Sequence, residues 1–141
     1  MVTTELRVRY AETDAMGVAH HSNIFIWFEL GRSDWMRSRG LPYPELEARG
    51  VLAPVVATEA RFHAPARYDE LLVIETRAED LTPVKTIFSY RVLRDGRLLA
   101  EGRTVHAFIN LSGRPVALPK KLPEVWEMLA GAVEQERSGA L

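Results

Sequence analysis

The stretch Tyr10-Ala-Glu-Thr-Asp-Ala-Met-Gly-Val-Ala-His-His-Ser-Asn-Ile-Phe-Ile-Trp-Phe-Glu-Leu-Gly-Arg32 changes character at its midpoint. Residues 11–22 hold no sustained period and are rich in Ala, Gly, Thr, Asp, His and Ser, so they read as a loop. Gly17 there suits an unusual dihedral or a close backbone approach. From Asn23 to about Arg39 the chain is long enough for several helical turns, and Gly40 followed by Leu41-Pro42 supplies the stop. Ser22 is the best N-cap residue, with Asn23 and His21 as alternatives. Ile24 to Phe28 alone would also suit a buried strand. Helix is preferred because Leu30, Trp35 and Met36 continue an apolar face, while Arg32, Ser33, Asp34, Arg37 and Ser38 fill the other. The first two turns are apolar nearly all round, which predicts enclosure on most sides. Gly31 costs about 1 kcal/mol relative to Ala inside a helix, and close packing against a sheet would compensate. The loop therefore sets a carboxylate, Asp14, beside the amides that begin a buried helix.

Outward from that helix the pattern is of strands. Leu6, Val8 and Tyr10 alternate with Arg7 and Arg9, which predicts a half-buried first strand. A short helix is expected over Pro44–Arg49. Four strands follow, at Val51–His63, Leu71–Leu81, Val84–Leu93 and Leu98–Asn110. Asp95-Gly96 marks a hairpin, and Pro65, Tyr68-Asp69, Pro83 and Ser112-Gly113 mark other turns. A terminal helix runs from Pro123 through Val133 with Val125, Trp126, Leu129 and Val133 on one stripe, and its tail should fray. The expected fold is α+β: one domain over residues 1–141, five mainly antiparallel strands wrapped around one long buried helix, plus a C-terminal helix. Such a sheet leaves strand edges open, and pairing across a dimer is a natural remedy.

Composition removes several function classes. With 141 residues, 47% of them hydrophobic, the chain suits one core. The net charge of −1 and pI near 6.4 lack the basic field that broad nucleic-acid binding needs. There is no cysteine, hence no disulfide framework, thiol nucleophile or thiolate metal site. The first residues lack a signal-peptide apolar region and no run approaches the roughly 20 residues of a membrane span, so a cytoplasmic location is expected. His20, His21, His63 and His106 invite a metal, yet the adjacent pair lacks the i, i+4 spacing of a helical zinc site, and no metal is expected. There is no G-x-S-x-G elbow, P-loop or dinucleotide glycine fingerprint.

The run Tyr10-x-x-Thr-Asp14-x-x-Gly17-x-x-x-His21-x-Asn23, followed by Trp27-Phe28-Glu29 and Arg32, resembles the 4-hydroxybenzoyl-CoA thioesterase family of hotdog-fold acyl-CoA thioesterases. Phe62 to Asp69 and Leu111 to Val116 resemble that family's turns before the central strands and after the last one. The resemblance implies hydrolysis of an acyl-CoA to a carboxylic acid and coenzyme A, with no cofactor beyond the coenzyme A of the substrate, in a homodimer or homotetramer. It implies that Asp14 is nucleophile or general base and that the His21 backbone N–H polarises the thioester carbonyl. Free amides at a helix start favour developing negative charge, which supports that division of labour. Tyr10, Thr13, Gly17, His20, Asn23 and Glu29 would support the loop and helix start.

Bland roles stand beside these. Asp14 would serve equally as a turn cap, and the imidazoles of His20 and His21 as satisfied loop groups. Glu29 lies in the apolar half of the helix, where an unpaired carboxylate is costly, so it is expected to support the loop or pair with Arg32. Coenzyme A phosphates call for cations, and Arg61, Lys85 and Arg91 are the candidates. Phe62 is the candidate wall of the acyl pocket. Two rival functions remain: a hydratase or dehydratase on the same fold, disfavoured because no Asp-x-Asn-Pro-x-His signature is present, and a non-catalytic acyl-CoA binder or sensor.

Overall fold

A computed structural model describes residues 1–139. The sheet has the order β1-β3-β4-β5-β2, from β1 (Val2–Arg7), β2 (Val55–Phe62), β3 (Leu71–Thr82), β4 (Lys85–Arg94) and β5 (Arg97–Ala107), with every neighbouring pair antiparallel. Helix α1 (Asn23–Ser38) lies on its inner face, and α2 (Tyr43–Ala48), α3 (Leu118–Lys121) and α4 (Pro123–Arg137) complete the chain. This is the hotdog arrangement that the sequence predicts. The expected tail fraying falls partly on residues 140 and 141, outside those described.

Period-2 alternation sets the inner face. Along β3 the residues Leu72, Ile74 and Ala78 are buried together with Thr76, and along β4 Phe88, Tyr90 and Val92 point the same way. Against them α1 buries Ile24, Trp27, Phe28, Gly31, Trp35 and Met36. Phe28 stacks on Tyr90 with ring centroids 4.2 Å apart, and Trp35 meets Phe88 edge-on at 5.2 Å. Gly31 faces β3, where any Cβ would collide with the Thr76 hydroxyl. Its helical cost is thus offset by close approach, as expected. Asp95 (φ 50°) and Gly96 (φ 78°) form the tight β4–β5 hairpin.

Several expectations need correction. The first strand ends at Arg7, and Tyr10 is 77% exposed in a 3₁₀ turn rather than on a strand face. The cause is Glu12, whose carboxylate accepts the Arg9 N–H at 2.7 Å and curls the chain out of the sheet. Leu30 lies off the buried stripe and is 45% exposed, and Phe25 and Ile26 are also exposed, so the chain's own sheet encloses only one side of the first two turns. The strand expected from Val51 is broken. Leu52 pairs with Ile109, Pro54 interrupts, and β2 starts at Val55 with a bulge before Ala57. On α4, Val125, Leu129 and Val133 are buried as expected, while Trp126 packs at the stripe's edge. Among the described residues no helix is long and apolar enough to cross a membrane.

Candidate active site

The loop from Arg9 to Ser22 folds back on itself and is stitched to the 64–70 segment. Thr13 bridges to Ala19, Asp14 N–H donates to the Val18 carbonyl at 2.9 Å, and Ala19 N–H donates to the Ala66 carbonyl at 2.7 Å. Thr13 Oγ1 donates to the Tyr10 carbonyl at 2.7 Å. Gly17, at φ 77° with open space where a Cβ would stand, supplies an unusual dihedral and not a close approach. The Tyr10 ring packs edge-on against Tyr68.

Asp14 holds its own turn: Oδ1 accepts the Met16 N–H at 2.8 Å. Oδ2 has no partner among the described residues, so the carboxylate caps a turn and still presents a free oxygen. At the helix start the amides divide unequally. Ser22 N–H donates to His20 Nδ1 at 3.2 Å, Asn23 N–H to the His20 carbonyl at 3.0 Å, and Ile24 N–H to the His21 carbonyl at 3.1 Å. The His21 N–H has no partner among the described residues. Ser22 is the N-cap by position, but its backbone is already helical and its hydroxyl makes no cap bond. The His20 ring takes that part, because Nδ1 accepts from the Ser22 amide. Asn23 Nδ2 reaches back to the Glu12 and His20 carbonyls at 2.9 and 3.0 Å, fixing the helix to the loop.

Glu12 was not singled out from the sequence, and Trp27 entered only as part of the motif, yet they join loop to helix. The Trp27 indole N–H donates to Glu12 Oε2 at 2.9 Å, and both residues are buried. A tryptophan inside an apolar run needs a partner for its N–H, and that need was the available signal. Beside this pair lies an apolar crevice lined by His20, His21, Ile24, Trp27, Phe62 and Val92, among others. The expected wall residue Phe62 and the two loop histidines therefore meet there. Asp14 stands on the adjoining loop and does not line the crevice of the single chain.

Other candidates lie apart. Glu29 is exposed and reaches only Arg32, at 3.9 Å, so it neither supports the loop nor suffers burial. Arg61 and Arg91 share a cleft on the sheet's outer face with Arg103, and Arg91 is paired to Glu75 at 3.2 Å. Lys85 sits six residues away along β4 from Arg91, about 20 Å by strand rise. His63 pairs with Glu101 at 2.8 Å on the surface. His106 is buried inside, where desolvation lowers its pKa to about 4. Its neutral ring fixes a chain of donors. Nδ1–H donates to the Ala53 carbonyl (2.9 Å), Thr104 donates to Nε2 (2.7 Å), and the Tyr90 phenol donates to Thr104 (2.6 Å). Burial also raises the pKa of Tyr90 and Tyr43, against the opposing pull of the Arg32 guanidinium beside both.

Known proteins agree with this architecture. YneP of Bacillus subtilis, provisionally named an acyl-CoA thioesterase, is 34% identical over 122 residues, 85% of this chain and 88% of its own. Acyl-CoA thioesterase YbgC of Haemophilus influenzae is 30% identical over 126 residues, 88% of this chain and 93% of its own. The structure of DHNA-CoA thioesterase from Staphylococcus aureus superposes with a TM-score of 0.93 at 28% identity, covering 99% of this chain and 95% of its own. The family model of the thioesterase-like superfamily matches residues 8–132, from the strand-to-loop junction through most of α4, and the chain belongs to that superfamily.

Proposed function

We propose that the protein hydrolyses acyl-CoA thioesters, with Asp14 and the His21 N–H as its reacting groups. The observation that carries this reading is the unbonded His21 amide at the start of α1, set beside an apolar crevice and on the same loop as the unpartnered Asp14 oxygen. An amide with no internal partner at a helix N-terminus stabilises negative charge as it develops on the carbonyl oxygen. The acyl group enters the crevice past Phe62. Asp14 then either takes a proton from water, which adds to the carbonyl, or adds to it directly. In both routes the tetrahedral oxyanion rests on the His21 N–H and collapses by expelling the coenzyme A thiolate, which takes a proton and leaves as the thiol; direct addition first gives an acyl-aspartyl anhydride, which water then cleaves to R–COOH and the free Asp14 carboxylate. Water alone completes the balance, giving R–COOH and free coenzyme A, and no metal or redox cofactor takes part. Arg61 and Arg91, which line one cleft on the outer face, are proposed to meet the coenzyme A phosphates, Arg91 by exchange from Glu75; Lys85 lies far from both and is the weakest of the three. The names of the superfamily relatives support the substrate class.

The working unit is proposed to be a homodimer or a tetramer built from it. The β2 edge is open, and Val55, Val56 and Phe62 on it are exposed, as are Phe25 and Ile26 at the start of α1. An edge that apolar is normally covered.

Thiol release from a panel of acyl-CoAs tests the reading. Asp14→Asn is expected to lower kcat by about 10²- to 10⁴-fold, the range for loss of a general base, while circular dichroism and acyl-CoA binding persist. Unimpaired turnover by the variant would show that Asp14 is not the reacting group. Binding without cleavage by the wild type would favour a sensor, and water addition across an enoyl-CoA would favour a hydratase. Activity is expected to survive chelators.

A further inference from the structure

His63 lies one residue beyond β2, where its N–H donates to the Leu99 carbonyl at 2.8 Å, and its Nε2 meets Glu101 Oε2 on β5 at 2.8 Å. Both side chains are 44% exposed, so solvent and ligands reach the pair. Glu101 in turn stands opposite two arginines. The strand register sets it across from Arg61 on β2 and from Arg91 on β4, and sets Arg91 across from Glu75 on β3. Cross-strand neighbours of this kind bring their Cβ atoms to about 5 Å. Along one line of the outer face the row therefore reads Glu75, Arg91, Glu101, Arg61, and its charges cancel.

A phosphate would meet those charges unequally. Arg103, in the same cleft of about 320 Å³, is flanked by Glu59 at 4.0 Å and Glu79 at 3.9 Å. Arg91 is paired with Glu75, while the Arg61 guanidinium has no partner among the described residues. Between Arg61 and Arg91, the Glu101 carboxylate repels any anion that enters, and His63 is the group that can neutralise it. Imidazole is the side chain that changes charge between about pH 5 and 8. As a cation the ring cancels Glu101 and gives the row a net positive charge. As a neutral ring it keeps the hydrogen bond and leaves the carboxylate charge in place. The charged groups facing the pair are Arg61 on β2, Arg91 on β4 and, behind Arg91, Glu75 on β3, none of them an imidazole.

On the acyl-CoA reading given above, we propose that His63 is a further member of the phosphate-binding site: its protonated ring neutralises Glu101 and so opens the space between Arg61 and Arg91 to the phosphates of coenzyme A. It acts through Glu101, and is thus a positioning residue and not a catalytic one. Anion binding and proton uptake by the ring are then linked, so its contribution to affinity is present while it is charged and is lost as pH rises.

Calorimetric titration of the protein with free coenzyme A, at about pH 5.5 and about pH 8.5, tests this. The 3′-phosphate of the ligand gains charge over the same interval, so variants are compared with the wild type at each pH. The wild type should bind about two- to five-fold more tightly than His63→Gln at the lower pH, the scale of one exposed charge pair, and equally at the higher. His63→Lys, a cation at both, should keep the tighter binding throughout. Glu101→Gln should bind more tightly than the wild type at the higher pH, and adding His63→Gln to it should change nothing. The proposal is overturned if the ratio of wild type to His63→Gln is the same at both pH values, or if Glu101→Gln leaves the higher-pH affinity unchanged. Full coenzyme A affinity in Arg61→Ala would overturn it too, by moving the phosphates elsewhere. Thiol release from acyl-CoAs reports the hydrolase reading separately. Turnover with a pH-independent ratio sinks only the role of His63, whereas absence of both turnover and coenzyme A binding sinks the reading beneath it.

Discussion

Helix α1 carries a tryptophan near each end, and each indole is held by a buried glutamate, but the two pairs do different work. Near the C-terminal end, Trp35 Nε1 donates to Glu136 Oε1 at 3.1 Å. That same carboxylate takes the Met1 ammonium at 2.7 Å, the Ala78 amide on β3, and Arg39 at 3.7 Å. Glu136 thus fastens β1, α1, β3 and α4 to one point. At the other end, Glu12 holds Trp27 and the Arg9 amide, both within one loop and the helix that follows it. Around the Glu136 pair the helix is closed in. Around the Glu12 pair lie an unbonded amide, a carboxylate with a free oxygen, and exposed apolar rings. One end of the helix is committed to stability, and the other is held still so that its unsatisfied groups stay where a substrate could use them.

Breaking the closed end should have the largest effect on folding. Glu136→Ala leaves the Ala78 amide and the Trp35 indole unpaired and the nearby cations without their partner, and about 3–5 kcal/mol of stability is expected to go, as when one member of a buried ion pair is removed. Urea unfolding measures it, with thiol release per folded molecule unchanged. A loss below about 1 kcal/mol would remove the distinction between the two ends. The buried interior between them should answer to pH. Burial holds His106 at about 4, below its ordinary 6.5, so between those values the unfolded chain binds a proton that the folded chain does not. Stability should therefore fall as pH drops from about 6.5 toward 4, by on the order of 3 kcal/mol in total. Melting temperatures recorded against pH should show that slope in the wild type and a flatter one in His106→Gln. The open end should give the smallest change. His20→Ala removes the ring that accepts the Ser22 amide and meets the Ser22 hydroxyl and the His21 ring, and about 1 kcal/mol is expected, typical of a lost helix cap. Equilibrium unfolding that showed several kcal/mol instead would mean that the loop, too, is part of the structural frame.

What was legible in the sequence follows from how local each cause is. Helix α1 announced itself because its apolar spacing, its stop at Gly40-Leu41-Pro42 and its polar second half lie in one continuous stretch. The β4–β5 hairpin was equally plain from Asp95-Gly96. Tyr10 was misplaced because the side chain that bends it out of the sheet belongs to Glu12, and period-2 alternation carries no word of such a bond. The start of β2 was misplaced because Pro54 and a bulge shift its pairing with β5, a partner some fifty residues later. The motif named Asp14, His21, Thr13, Gly17, His20 and Asn23, which lie together on one loop and the helix start that follows it, whereas Glu29, named with them, is exposed and reaches only Arg32. The Glu12–Trp27 pair was not visible in it: its members lie fifteen residues apart, and the apolar run around Trp27 hides a residue whose N–H must be satisfied.

The sheet order also carries a kinetic consequence. Strand β2 leaves the ribosome early, yet among the described residues its only partner in the sheet is β5, and β1 pairs with β3, where Val2 meets Thr76. The outer strands on both sides must wait for long loops to close before they are held, and loop closure of this kind slows folding toward the millisecond-to-second range. During that wait Val55 and Val56 belong to an unpaired, apolar segment of a nascent chain. The edge exposed in the finished fold is therefore also the stretch whose protection comes last during synthesis.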